Sequence, residues 1–231
     1  RKVEVIAVEG IPLVKPGDDL AALIREAAEA QGTPIEDGDI IVVSHVVVAK
    51  AEGRVVDLSE VEPSPFALEY ARACGKDPRV VELALREARE VVRAARGHLI
   101  TVAKCGLVCA NSGVDVSNVD GGRSAALLPE DPDASARRLR ERIEELTGKR
   151  VAVVIADTHG RPLRRGQVNI AIGCSGMEPI RDRRGERDLF GYVLRVKRIA
   201  LADEVAAAAE LVMGQADEGV PVAIVRGVEY E

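Results

Sequence analysis

Aromatic side chains are scarce in this sequence, which has two phenylalanines, three tyrosines and no tryptophan among its 231 residues. A ring-shaped ligand would therefore be held mainly by aliphatic side chains and backbone groups, not by an aromatic stack. Basic residues are outnumbered by acidic ones, and the formal net charge is -6. General nucleic-acid binding needs a basic face, so we expect no nucleic-acid partner.

Long apolar runs are missing as well. The longest covers residues 40–49 and contains Ser44 and His45, whereas a membrane span needs roughly 20 apolar residues. We recognise no charged-then-apolar signal at the start of the sequence, and the four cysteines include no C-x-x-C motif. These two features predict a cytoplasmic protein with reduced, mostly buried thiols. We expect no membrane partner. Cys105 and Cys109 could form part of a metal site, but alternation along one strand would also place them on one face, and we favour the strand.

The sequence has none of the common nucleotide-binding fingerprints. Gly148-Lys149 lacks the earlier glycine of a P-loop, and there is no glycine-rich Rossmann motif or kinase motif set. No Ser-His-Asp or Cys-His arrangement is legible either, because His45, His98 and His159 are scattered. Any nucleotide must therefore be bound in another way.

The pattern of helices and strands predicts an α+β fold, with mixed sheets and flanking helices, in one domain over residues 1–231. Capping residues and apolar periodicity predict helices over residues 19–32, 64–75, 77–97, 131–150 and 203–214. Branched apolar runs predict strands over residues 3–8, 39–58 with a break near 50–53, two strands between 98 and 110, and further strands over 151–159, 168–172, 192–199 and 220–227.

Polar residues crowd the segment CGLVCANSGVDVSNVDGG, residues 105–122. One interpretation is an ordinary turn-rich loop, since Asn, Asp, Ser and Gly are the usual turn residues. The other is a loop that presents the Asp115 carboxylate to a cation and the Asn118 amide to a ligand. The segment alone favours the turn-rich loop.

Three further segments could carry chemistry. Asp157 and Thr158 follow the apolar run VAVVIA, where a buried strand ends, and their oxygens suit Mg²⁺ or Mn²⁺; an Asp-Thr turn is the alternative. Arg161, Arg164 and Arg165 come just after them and suit phosphate or carboxylate oxygens, unless they form a solvated cluster. The glycine-containing loop 213–220 either caps a helix or brings backbone groups close to a phosphate or a base.

Together these segments resemble the coenzyme F420-0:gamma-glutamyl ligase family over nearly the whole length. The segments that carry the resemblance are VEGIPLVKPGDDL, EDGDIIVVSHVVVAKAEGR, NSGVDVSNV, LLPEDPDASA, TGKRVAVVIADTHGRPLRRGQVNIAIGCSG and DLFGYVLRVKRIALADEVAAAAELVMGQADEGVPVAIVRG. The resemblance implies a family-specific fold, an intertwined homodimer, and an enzyme that joins L-glutamate by an amide bond to a carboxylate of the deazaflavin coenzyme F420-0. GTP is the implied co-substrate, with Mg²⁺ or Mn²⁺ required and K⁺ as a further candidate.

The resemblance also assigns roles to individual residues. Asp115, Asp157 and Thr158 match metal ligands, as does Gln215, a position at which relatives can carry an acid. Nucleotide contacts match Gly10, Ile11, Pro12, Leu13, His45, Val46, Lys50, Asn118, Met213, Gly214, Gln215, Ala216, Asp217, Glu218, Gly219 and Val220. Hydroxyl residues are frequent in relatives at the positions of His45 and Val46.

The expected chemistry is activation of a carboxylate. Phosphorylation gives an acyl phosphate that an amine can attack, and cations together with Arg164 and Arg165 would stabilise the transferring phosphoryl group. Two alternatives stay open: an amide ligase for another carboxylate acceptor, and a coenzyme- or nucleotide-binding module without turnover. The joint presence of Asp115, Asp157 and Thr158 argues against a simple binding module.

Overall fold

The computed structural model describes residues 1–160 and 164–231. In chain order its elements are β1 (Glu4–Ala7), α1 (Leu20–Ala30), β2 (Ile40–Ser44), α2 (His45–Ala51), β3 (Val55–Asp57), α3 (Pro65–Cys74), α4 (Pro78–Arg86), β4 (Ala88–Ala95), β5 (His98–Ala103), β6 (Val108–Ala110), β7 (Ser124–Ala126), α5 (Pro132–Thr147), β8 (Ala152–His159), β9 (Val168–Ser175), β10 (Arg181–Asp182), β11 (Arg198–Ile199), α6 (Leu201–Met213) and β12 (Val222–Arg226). Mixed sheets with flanking helices confirm the predicted α+β class.

A five-stranded mixed sheet, in the order β1-β12-β2-β8-β9, forms the framework for the site. β2 and β8 are parallel, and the other neighbouring strands are antiparallel. The carboxyl ends of β2 and β8 therefore lie side by side, with Ser44 in register with Ala156. Whatever follows these two strands meets at one edge of the sheet.

Helices cover both faces of this sheet. Alternate side chains such as Ile41, Val43 and Ile155 pack in one buried cluster with residues of α1 and α5, including Ile24. The intervening side chains pack on the other face in a cluster with α6. Burial on both faces explains why the central strands read as continuous apolar runs.

A second group of elements packs beside this layer. It contains α3, α4, the three-stranded sheet β4-β5-β6 and the pair β3-β7, around a core that includes Leu58, Val81 and Leu99. The segment 111–118, which carries Asp115, runs from β6 towards β7. Through it, this group supplies one wall of the site described below.

Three predicted elements were wrong. Residues 45–51 are helical, because the buried residues His45, Val46, Val48 and Ala49 follow helical spacing and not strand alternation. Residues 88–95 form a strand, since hydrogen bonding to β5 outweighs the helix propensity of this segment.

Residues 192–197 form no strand, and only Arg198–Ile199 pairs, with Arg181–Asp182. Leu189 and Val196 of this region are almost fully exposed, so a strand here would have no core to cover. The favoured placement of Cys105 and Cys109 on one strand was also wrong. Cys105 lies exposed in a turn before β6, whereas Cys109 is buried within it.

Within the described ranges, no helix has both the length and the apolar character that crossing a bilayer would require.

Candidate functional site

A cleft lies at the edge of the sheet where β2 and β8 end. Its empty volume, including the part open to solvent, is about 1020 Å³. It is lined by residues 11–14, 44–47, 50, 115, 117, 118, 156–158, 169, 213–216 and 218–221. Six separate stretches of sequence therefore converge on one cleft, and most of the residues assigned from the resemblance line it.

Asp157 is at the centre of this arrangement. Its Oδ1 accepts a hydrogen bond from the backbone N–H of Thr158 at 2.7 Å and lies 3.1 Å from Nδ1 of His45. Burial alone would lower the pKa of His45, but the carboxylates of Asp157 and Asp115 raise it, and the net shift is upward. A single buried imidazole thus lies within electrostatic reach of both carboxylates.

The loop that carries Asp115 forms turns, and Asp115 itself lines the cleft. Both carboxylate oxygens of Asp115 accept hydrogen bonds from Ser117, one from its backbone N–H and one from its hydroxyl, each at 2.8 Å. The backbone of Asp115 pairs with Ala126 of β7 through two hydrogen bonds. The carboxylate is therefore fixed in orientation while its remaining lone pairs stay available.

The backbone just before Asp115 is strained. Asn111 and Ser112 have φ values of 52° and 54°, in the left-handed region that non-glycine residues rarely adopt. The buried Ser112 hydroxyl contacts the Thr101 hydroxyl at 2.9 Å and the Ala84 carbonyl at 2.7 Å. These buried hydrogen bonds hold the strained turn and with it the position of Asp115.

Three polar side chains meet beside Asp157. Oγ1 of Thr158 lies 2.6 Å from Oε1 of Gln215 and 3.1 Å from Oδ1 of Asn169. The Gln215 side-chain amide donates to Oδ1 of Asn169 at 3.1 Å. Strand β8, strand β9 and the loop after α6 are thus joined at one point of the cleft.

Lys50 links two walls of the cleft. It lies in the last turn of α2, and its ammonium donates to the Asn118 carbonyl at 2.6 Å. Burial lowers the pKa of Lys50, partly opposed by the carboxylate of Asp120. The side chain brings a positive charge to a cleft that is also lined by the acidic residues Asp115, Asp157 and Glu218.

The loop after α6 has a conformation that requires glycine. Gly214 has φ 70° and ψ −174°, a region that essentially only glycine adopts, and a Cβ there would collide with the Glu218 carboxylate. That carboxylate accepts a hydrogen bond from the Ala216 backbone at 2.8 Å, which helps to hold the pKa of Glu218 below its usual value. The loop is therefore folded on itself against the cleft.

The oxygen atoms of this cleft suit a hard divalent cation. Asp115 and Asp157 offer two carboxylates, and Thr158 and Gln215 add a hydroxyl and an amide oxygen, a set that suits Mg²⁺ or Mn²⁺ completed by substrate phosphates. The Thr158 hydroxyl donates to the Gln215 oxygen at 2.6 Å, so the two oxygens lie close enough together to contact one cation. No group of three or more His, Cys, Asp or Glu residues with metal-binding geometry occurs in ranges 1–160 and 164–231.

Some predicted residues lie outside the cleft lining. Gly10 and Asp217 are not among its lining residues, although their neighbours are. Arg164 and Arg165 are exposed and do not line it either, and Arg161 lies outside the described residues. The roles of all these residues stay predictions.

Sequence reasoning missed Asn169 and Ser117. Asn169 was detectable as a polar residue inside the apolar strand VNIAIGC, and its side chain turns out to be almost fully buried. Ser117 follows Asp115 by two residues, the spacing of a turn in which an aspartate accepts from the backbone. Neither signal identifies a function without the three-dimensional arrangement.

Comparisons with known proteins show which family the chain is similar to. The model of a family described as F420-0:Gamma-glutamyl ligase matches residues 10–227. A Methanothermobacter thermautotrophicus protein named Coenzyme F420:L-glutamate ligase is 51% identical over 228 residues, covering 99% of this chain and 90% of that protein. Proteins of the same name from Methanopyrus kandleri and Methanocaldococcus jannaschii are 53% and 50% identical, each over 229 residues, 98% of this chain and 88% of the relative. The matched range includes every segment that lines the cleft.

Proposed function

Because the chain belongs to the F420-0:gamma-glutamyl ligase family, we propose that it joins L-glutamate by an amide bond to the carboxylate of the deazaflavin coenzyme F420-0, at the expense of GTP. The reaction serves F420 biosynthesis and releases GDP and phosphate. The observation that carries the proposal is the convergence of Asp115, Asp157, Thr158 and Lys50 on one cleft. A site that only bound a coenzyme would not require this set of cation and phosphate ligands.

GTP is assigned to the part of the cleft formed by residues 11–13, 45–46, 118, 213–216 and 218–220. Lys50 is placed to contact a phosphate, because its ammonium already lies in the cleft beside Asn118. The loop after α6 lines the cleft with residues 214–216 and 218–220, so its backbone groups can contact a ligand. With so few aromatic residues in the sequence, backbone and aliphatic contacts would hold the base.

Asp115, Asp157, Thr158 and Gln215 would hold Mg²⁺ or Mn²⁺, with K⁺ as a further candidate. When bound, the cation supplies positive charge that offsets the charge on the phosphoryl group being transferred. Ser117 and His45 keep the two carboxylates in place through the contacts described above. Arg164 and Arg165 lie in the loop between β8 and β9, at the same end of the sheet, and are assigned to the phosphoryl oxygens.

The reaction then proceeds in two steps. A carboxylate oxygen of F420-0 attacks the γ-phosphorus of GTP, an O–P bond forms, and the bond from that phosphorus to GDP breaks. The amine nitrogen of glutamate next attacks the carbonyl carbon of the acyl phosphate, a C–N bond forms, phosphate leaves, and the nitrogen gives up a proton. The protein contributes mainly by positioning the reactants and by electrostatic stabilisation.

A homodimer is part of the proposal. The segment between β10 and β11 exposes large apolar side chains, with Leu189 98%, Phe190 95% and Val196 88% exposed. Leu189 and Phe190 are neighbours in sequence, and large exposed apolar patches mark protein–protein contacts. A dimeric mass in light scattering, lost on replacement of Leu189 and Phe190 by serine, would support this assignment, and a monomeric mass with full activity would contradict it.

The enzyme assay is direct. The purified protein is incubated with F420-0, L-glutamate, GTP and Mn²⁺, and the products are analysed by mass spectrometry. We expect a product heavier than F420-0 by one or more glutamyl residues, with GTP preferred to ATP at subsaturating concentration. Turnover only with a different carboxylic acid would indicate another amide ligase, and nucleotide binding without any turnover would indicate a binding module.

A further inference from the structure

Asn169 is a buried side chain that contacts two of the proposed cation ligands at once. Only 5% of the residue is exposed. Its Oδ1 accepts from the Gln215 amide at 3.1 Å and lies 3.1 Å from Oγ1 of Thr158. None of the roles assigned above includes this residue.

A bulge in β9 places Asn169 there. In the β8–β9 ladder Ile155 pairs with Gly173, whereas the next residue, Ala156, pairs with Ala171, so Ile172 is an extra residue. From that point the register is shifted by one, and Asn169 faces Thr158. If Ala156 paired with Ile172 in a regular ladder, Thr158 would face Ile170, and no polar partner from β9 would stand opposite it. The bulge therefore places a polar side chain of β9 beside Thr158 in the cleft.

The backbone of Asn169 is held separately. β9 is the edge strand of the five-stranded sheet, so it has backbone groups that no neighbouring strand pairs. The Asn169 N–H donates to the Glu210 carboxylate of α6 at 2.8 Å. The Ala171 N–H donates to Asp203 of the same helix at 2.9 Å. Asn169 thus sits on an edge that α6 keeps fixed.

We propose that Asn169 is a positioning residue that turns the Gln215 amide and the Thr158 hydroxyl so that their oxygens face the cation. A glutamine amide has an oxygen that can bind a cation and a nitrogen that cannot, and rotation by half a turn exchanges them. The Asn169 oxygen accepts from the Gln215 nitrogen, which leaves the Gln215 oxygen beside Thr158.

Asn169 also orients the hydroxyl of Thr158. This hydroxyl has one proton, so it can donate to only one of the two oxygens that it contacts. The shorter of the two hydrogen bonds goes to Gln215, at 2.6 Å, and Asn169 is a second acceptor at 3.1 Å. When a cation takes the Gln215 oxygen, donation to Asn169 leaves the lone pairs of Thr158 free for the cation as well. The inference rests on the cation site of the proposed function but concerns Asn169, which contacts the proposed ligands and not the cation.

The test measures Mn²⁺ binding by electron paramagnetic resonance titration in the presence of GDP, which requires no turnover. Asn169→Leu keeps a similar size without an acceptor, and we expect Mn²⁺ to bind at least tenfold more weakly. Asn169→Asp keeps oxygen acceptors at the same place, and we expect binding at least as tight as in the wild type. An unchanged dissociation constant in folded Asn169→Leu would overturn the proposal, and so would an equal loss in Asn169→Asp.

A second pair of variants separates orientation from general loosening of the strand. Gln215→Glu presents an oxygen to the cation whichever way it is turned, so Asn169→Leu should weaken Mn²⁺ binding less than threefold in that background. An equal loss in both backgrounds would overturn the proposal even if Asn169→Leu alone were damaging. If the wild type bound no Mn²⁺, both the proposed cation site and this inference would be refuted. If the wild type bound Mn²⁺ and Asn169→Leu bound it equally well, only this inference would be refuted.

Discussion

Asp157→Asn is the substitution that most sharply separates the chemistry of the cleft from its architecture. Asparagine has nearly the shape of aspartate, and its side-chain oxygen can still accept the Thr158 N–H, which donates at 2.7 Å in the structure. The same oxygen can accept from Nδ1 of His45, 3.1 Å away. The fold should therefore survive, while one of the two carboxylates of the proposed cation site is lost.

The expected loss follows from the charge that disappears. Asp115 and Asp157 are the two carboxylates among the proposed ligands, so the substitution removes half of the anionic charge that holds the cation. Groups that stabilise charge in a transition state contribute several kcal/mol, and about 2.7 kcal/mol corresponds to roughly a hundredfold. We expect kcat/KM for the F420-0 reaction to fall by roughly a hundredfold or more.

The assay is steady-state turnover with GTP and L-glutamate at several Mn²⁺ concentrations, together with thermal unfolding. Asp37→Asn is the matched control, because Asp37 also accepts a backbone N–H, from Arg150 at 2.9 Å, but lies before β2 and does not line the cleft. It should leave turnover unchanged. If folded Asp157→Asn kept more than a tenth of the wild-type kcat/KM, the assignment of Asp157 as a cation ligand would be refuted.

Three other predictions test the surroundings of the site and the fold. Lys50→Ala should weaken GTP binding roughly tenfold in calorimetry, because it removes a charged donor from the cleft, whereas Lys149→Ala should not. Iodoacetamide at pH 8 should modify the exposed Cys105 first, and peptide mass spectrometry should find Cys109 unmodified, because burial raises its pKa to about 12. Glu82→Gln should lower the free energy of unfolding by about 1–2 kcal/mol at pH 7 in urea titrations. Hydrogen bonds from the backbone and hydroxyl of Ser64 lower the pKa of Glu82. The stabilisation by the charged carboxylate is therefore lost as the pH falls through that lowered pKa, and the difference between Glu82→Gln and the wild type should shrink.

Each of these expectations has a definite contrary result. Equal GTP affinity of Lys50→Ala and the wild type would make Lys50 an ordinary surface lysine. Early modification of Cys109 in the folded protein would mean that β6 opens readily. A stability difference for Glu82→Gln that is the same at pH 3 and pH 7 would show that the charge of Glu82 does not contribute to stability.

The sequence was sufficient to predict the ends of the central strands and the residues that follow them. The run VAVVIADT predicted both a buried strand and polar residues at a sheet edge, and Asp157 and Thr158 are found there. Helix caps were also predictable from the sequence: Asp19, one of two candidates with Asp18, and also Ser64 and Asp77 accept backbone N–H groups at the starts of their helices. These features depend on local sequence, which is why local reasoning found them.

Features that depend on contacts between distant parts of the chain could not be predicted from the sequence. Valines 46–48 favour a strand by their branching, yet the segment is helical because it packs against the ends of β2 and β8. The position of Asn169 opposite Thr158 depends on a bulge at Ile172, and no rule of sequence fixes where a strand takes up an extra residue.

The measurement that tests the central claim most directly is the fate of the acceptor's oxygen. F420-0 labelled with ¹⁸O in its carboxylate is incubated with the protein, GTP, L-glutamate and Mn²⁺, and the released phosphate is analysed by mass spectrometry. Attack of the carboxylate on the γ-phosphorus, followed by amide formation, must transfer one labelled oxygen into each phosphate released. We therefore predict one ¹⁸O in the phosphate released for each first glutamate joined to F420-0, measured before a second glutamate is added. Unlabelled phosphate alongside that first amide product would contradict the account.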